Sequence, residues 1–175
     1  RLIRDPAKEV QQAVVDNLVS ESAKVYFGHD RTVAEKAVQV ATLASDPGLA
    51  ARLLRDVSTE QVGHGAVQEL LKLLGSGPPE VRAAAALALG GVPTAEAAVA
   101  RTALLDCYQK DTETVVRRAV LEALVHLTMG AAPPLLESLR GVASALSGEL
   151  DLWQAALQSG LQEWHLLQRE KQRLL

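Results

Sequence analysis

Two stretches decide the fold: GPPEVRAAAALALG at 77–90 and DTETVVRRAVLEALVHL at 111–127. Each opens on a turn residue, Gly or Asp, with Pro or Thr behind it. A small β-branched residue follows about five positions on, Val81 or Val116, with Arg82 or Arg117 directly after it. From there apolar residues recur at steps of three and four: Ala84 and Leu89 in one stretch, Ala119 and Leu124 in the other. That spacing is helical, and the Pro or Asp ahead of it is what starts a helix. Gly90-Gly91 and Gly130 then supply the ending.

The same order of residues recurs on either side. Toward the N-terminus, Asp5-Pro6 leads to Val10, Ala13 and Leu18, and Asp46-Pro47 leads to Ala51 and Arg52. The unit around Asp46 is degenerate, with Ala51 in the place of Val and no later Leu. Between these anchors lies room for a second helix, so each unit is a helix pair that cannot bury its apolar face alone and must stack.

In these residues the chain resembles HEAT repeats and the related armadillo-like repeats over roughly residues 1–147. The resemblance implies an all-α fold, a HEAT/armadillo-like α-α solenoid of about four helix pairs with a long C-terminal helix. It also implies a right-handed superhelix that binds macromolecules along its inner face. The expected division is 1–147 for the repeats and 148–175 for a capping or partner-binding helix. In that last segment Leu150, Trp153, Leu157, Leu161, Trp164 and Leu167 form one stripe at three- and four-residue steps. The first unit has only Arg1 to Arg4 ahead of its Asp5-Pro6, too short for a complete leading helix.

Composition agrees. Leu, Ala and Val account for 76 of 175 residues, while Ile occurs once and the aromatics number five, a profile of closely packed helices and not of a sheet. A net charge of −3 argues against non-specific binding to nucleic acid or anionic membrane. The single Cys107 excludes an internal disulfide and a cysteine-based zinc site. No apolar run approaches a membrane span.

The residues that could carry chemistry do not assemble into a site. His29, His64, His126 and His165 have no catalytic neighbour in sequence, and His-Glu pairs and His-x-x-x-His are both missing. Cys107, in a helical Leu-Leu-Asp-Cys-Tyr run, reads as a small core residue. Nucleotide-binding glycine loops and the nucleophile elbow are absent from the sequence. No enzyme, metal or cofactor is expected.

Arg52, Arg82 and Arg117 stand at equivalent places and are expected to staple each helix to a turn of an adjacent repeat, with Asp46 and Asp111 as acceptors. A second row, on the other side of each anchored helix, stays apolar or small. At spacings of 71 and 35 residues it runs Val15/Ala86/Leu121 and Val19/Gly90/Val125, flanked by Asp16/Leu87/Glu122 and Gln12/Ala83/Arg118. This row predicts a partner-binding groove on the inner face formed by Val15, Asp16, Val19, Leu87, Arg118, Leu121, Glu122 and Val125.

The function expected is therefore a non-catalytic scaffold or adaptor that holds a protein segment, peptide or helix, in that groove. The chain would be cytoplasmic or nuclear, with no membrane contact, and self-association would run through the C-terminal helix. The HEAT-like resemblance leaves two alternatives, a nucleic-acid-binding domain and a lyase or chaperone acting on a cofactor-bearing protein.

Overall fold

The computed structural model describes residues 1–23, 31–128 and 132–174. Every regular element among them is helical. In chain order they are η1 (Leu2–Arg4), α1 (Lys8–Ala23), α2 (Arg31–Leu43), α3 (Pro47–Asp56), α4 (His64–Ser76), α5 (Pro79–Gly90), α6 (Thr94–Lys110), α7 (Thr114–Thr128), α8 (Ala132–Ser138), η2 (Ser144–Leu146) and α9 (Ser147–Leu174). The chain divides into two compact units, Arg1–Leu127 and Thr128–Leu175.

The first unit is a two-layer stack. One layer holds the anchored helices, α1 against α3, α3 against α5, and α5 against α7; the other holds α2, α4 and α6 in succession. Across the layers α2 lies on α3 and α4 on α5. Helices α6 and α7 meet around buried Tyr108, with the Arg117 guanidinium 5.8 Å from the centre of its ring. The leading place in the second layer, against α1 and beside α2, is held by the three residues of η1. This gives three full pairs and a rudimentary first one, an α solenoid of the kind the sequence predicts.

The turn residues act as expected. Asp46 caps α3 by accepting from the backbone N–H groups of Gly48 (2.8 Å) and Leu49 (3.3 Å), with Pro47 in the first turn. Asp111 accepts from Glu113 N–H at 3.0 Å, and Asp5 from Ala7 N–H at 2.9 Å. Behind these caps, Leu53, Leu70, Leu89, Leu104 and Leu124 are fully buried. Burial of each contributes about 2 kcal/mol.

Arg82 staples a turn of the adjacent repeat as predicted, whereas Arg117 holds the end of helix α6, the partner of its own pair. Arg82 donates to both carboxylate oxygens of Asp111 (2.8 and 3.2 Å) and to the Gly77 carbonyl (2.8 Å). Arg117 donates to the Tyr108 carbonyl at 2.9 Å. Arg52 departs from the pattern. Asp46 is occupied with its cap, and Arg52 reaches Asp16 on α1 at 2.7 Å instead. Gln11 holds the corresponding place on α1. It is buried, and its amide donates to the Asp5 carbonyl at 2.6 Å, so it does the arginine's work without charge.

Two contacts in the stack depend on small groups. A Cβ built on Gly90 would lie 2.8 Å from Ala123 Cα, so α5 and α7 touch through bare backbone. Buried Thr59, in the α3–α4 connection, donates to the Ala88 carbonyl at 2.6 Å and closes the end of α5.

In the second unit, Pro133 and Pro134 sit in the first turn of α8, which is seven residues long. Helices α8 and η2 pack on α9, with Leu136, Leu146 and Leu150 buried. Arg140 clasps this unit, donating to Glu137 (2.8 Å), Asp151 (2.6 Å) and Gln154. The boundary expected at 147/148 falls at the start of α9. The contacts instead divide the chain at 127/128, because α8 and the turn after it pack with α9.

Candidate functional site

The eight residues expected to form a groove do not share one environment. Val15 and Leu121 are fully buried and Val125 nearly so. These three are core, a correction to the expected groove. For Val15 the physical reason is the two-layer stack, in which α1 packs against α2 in the other layer and against α3 in its own. Helical periodicity marks the stripes that face them as apolar and does not say which face is open. Of the remaining five, Asp16 and Arg118 are exposed, and Val19, Leu87 and Glu122 are half-buried.

Asp16, Leu87 and Glu122 occupy the same repeat position on α1, α5 and α7, and all three reach solvent. The row is interrupted at the end of α3, where the corresponding Val57, the residue just past the helix, is buried. The Asp16 carboxyl lies below its ordinary pKa because it accepts hydrogen bonds from Arg52 and Gln12. It is therefore a fixed negative charge at neutral pH.

Cys107 is half-buried in a 440 Å³ cleft between α4 and α6, beside the Arg82–Asp111 pair. Burial, followed by the Asp111 charge, pushes its thiol up to about 11. Such a thiol is protonated and unreactive at neutral pH. Alkylation by iodoacetamide is therefore expected to be slow at pH 7.5 and to accelerate toward pH 11, against a free-cysteine profile that rises near 8.5. Fast alkylation at pH 7.5 would contradict the burial.

The histidines stay apart. His64 Nδ1 lies 3.1 Å from Glu96 at the start of α4, and His126 is exposed on α7. His29 lies outside the described residues, as does the side chain of His165. No group of three or more His, Cys, Asp or Glu among the described residues is placed to hold a metal ion. In the α9 stripe Leu150 is buried, and Trp153 and Leu157 are half-buried. The side chains of Leu161, Trp164 and Leu167 are outside the described residues. None of the described helices is long and apolar enough to cross a membrane.

Sequence reasoning missed one feature. A cleft of 650 Å³ opens between η1, α1 and α2, lined mainly by apolar atoms of Leu2, Val10, Ala13, Val14, Leu18 and Val40.

Against known proteins, the family model of HEAT repeats matches residues 30–125, more than half of the chain. No curated protein and no solved structure matches. The matched span runs from the start of α2 into α7, which takes in the three full helix pairs of the stack. Repeat motif, two-layer packing and family match agree, and the chain belongs to the HEAT-repeat family.

Proposed function

We propose that this chain is a non-catalytic protein-interaction scaffold of the cell interior, one that holds a partner protein along the anchored-helix layer. The observation that carries the reading is the solvent-reaching row of Asp16, Leu87 and Glu122, at one repeat position on three helices of a single stack. A surface that repeats with the fold suits an extended partner better than a small molecule. Leu87 and Val19 would supply apolar contact, and Asp16, Arg118 and Glu122 would set orientation by charge. Exposed Leu152, on the first half of α9, supports self-association through that helix as a second contact of the same scaffold.

Affinity capture from lysate tests the first contact, comparing wild type with a Leu87→Glu, Arg118→Glu double variant of matched helicity. A protein retained by wild type and lost at least tenfold from the variant is the expected result. Identical capture by both would remove this face from the proposal.

A further inference from the structure

We infer that α9 pairs antiparallel with α9 of a second copy of this chain, about a two-fold axis between Gly160 and Leu161. The inference rests on the self-association reading above, and deepens it by fixing the face, orientation and register of the contact.

The argument is one of self-complementarity. Helix α9 has 28 residues and is about 42 Å long. Helices α8 and η2 pack on it where Leu150 is buried, and farther along Trp153 and Leu157 are half-buried, each with part of its surface open. By helical register the stripe that these residues begin continues through positions 161, 164 and 167, which are Leu, Trp and Leu. Turned end for end about the point between 160 and 161, this stripe falls on itself. Position 157 comes level with 164, position 153 with 167 and 168, and Gly160 with Leu161. A two-fold interface makes each of these contacts twice. A Cβ built on Gly160 would meet nothing within 4 Å, so its own chain does not require glycine there. At the axis of a helix pair, a residue without a side chain leaves room for Leu161 of the other copy.

Charge sets the orientation. The start of this unit carries Glu137, Glu149 and Asp151 against a single Arg140, and the end of α9 carries Arg169, Lys171 and Arg173 against a single Glu170. From Leu152 to Gln168, Glu163 is the only formal charge. Arg140 binds both Glu137 and Asp151, yet their side chains stay 64% and 65% exposed, so their charge reaches solvent. Antiparallel pairing sets each acidic end beside a basic one, whereas parallel pairing sets like ends together. An unrelated helix need not carry this reversed order of charge along a matching stripe. A second copy carries it by construction.

Sedimentation velocity on the chain as it stands is expected to show a monomer–dimer equilibrium. Reversing the basic end with Arg169→Glu, Lys171→Glu and Arg173→Glu should weaken the dimer at least tenfold at unchanged helicity. Leu152, two positions on from Leu150, falls on the other side of the helix, so Leu152→Glu should leave the dimer as it is. Orientation is read by disulfide cross-linking in a Cys107→Ser background. Gly160→Cys should link two copies, because the residue lies at the axis. Ser147→Cys should not, because two such residues would stand about 40 Å apart. Linking at both positions would mean parallel pairing and would overturn the inference. A dimer dissolved by Leu152→Glu and indifferent to the triple reversal would keep self-association through α9 and overturn this face and register. A chain that stays monomeric at every concentration reached would overturn the inference and the self-association reading together.

Discussion

Replacing Gly90 with alanine is expected to lower the stability of the repeat unit by about 2 kcal/mol, although alanine is the better helix former. Helix propensity alone predicts a gain of roughly 1 kcal/mol for Gly→Ala inside a helix. The added Cβ would stand 2.8 Å from Ala123 Cα, 2.9 Å from its Cβ and 3.3 Å from its carbonyl oxygen. Backbone atoms cannot turn aside as the end of a side chain can, so α5 and α7 must separate. Overpacking of this sort costs roughly 3 kcal/mol, which exceeds the propensity gain. In thermal denaturation the loss corresponds to a fall of roughly 6 °C.

Two further variants test the mechanism. Gly75, in the last turns of α4, has nothing within 4 Å of a built Cβ, so Gly75→Ala should raise stability by about 0.5–1 kcal/mol. Adding Ala123→Gly to Gly90→Ala should restore only part of the loss, because it removes the Cβ contact and leaves the Cα in place. If Gly90→Ala were as stable as Gly75→Ala, the close approach of α5 and α7 would be wrong.

Gly90 also shows where sequence reading stops. Its pairing with Gly91 marks the end of a helix correctly, yet the more demanding role depends on a residue 33 positions away, and no local pattern reports that. The fold itself was readable because its signals are local. Asp46-Pro47, Pro79 and Asp111 fix helix starts by capping chemistry, and Val81-Arg82 and Val116-Arg117 repeat the same anchor and staple. The surface was not readable in the same way. Val15, Ala86 and Leu121 form one apolar column and are all buried, while half-open Leu87 stands in the next column with Asp16 and Glu122, and a single apolar residue in a charged column is no local sign of which face is open. Gln11 was missed for a different reason. The repeat asks for a donor that reaches a turn carbonyl, and an amide meets that need as well as a guanidinium does, so a search for arginine overlooks it.

The second large effect is expected at Arg82. Changing it to alanine should cost about 3 kcal/mol, or a fall of roughly 10 °C in Tm. Three hydrogen bonds are lost together, two to Asp111 and one to the Gly77 carbonyl. Both charged side chains are largely shielded from water, 19% and 10% exposed, so this pair escapes the screening that makes surface ion pairs weak. Asp111 would be left shielded and without its bidentate partner.

The pair also gives a pH signature. Partial burial acts to raise the Asp111 pKa, but the Arg82 hydrogen bonds, the Glu113 N–H and the charges of Arg82 and Arg117 outweigh it and hold the carboxyl below the ordinary value. A carboxyl depressed in the folded state stabilises fully above its unfolded pKa, near 4, and that stabilisation is lost as pH falls through the folded pKa. Wild type should therefore lose stability as pH falls below about 4, and Arg82→Ala should show a shallower acid limb from a lower starting point. Arg82→Lys tests the geometry, because an ammonium keeps the charge but cannot bridge two carboxylate oxygens and a carbonyl at once. It should retain the pH dependence and recover less than half of the stability. If Arg82→Ala and wild type shared one acid limb, Asp111 would owe its low pKa to the α7 cap alone, and the staple would be a matter of position without charge.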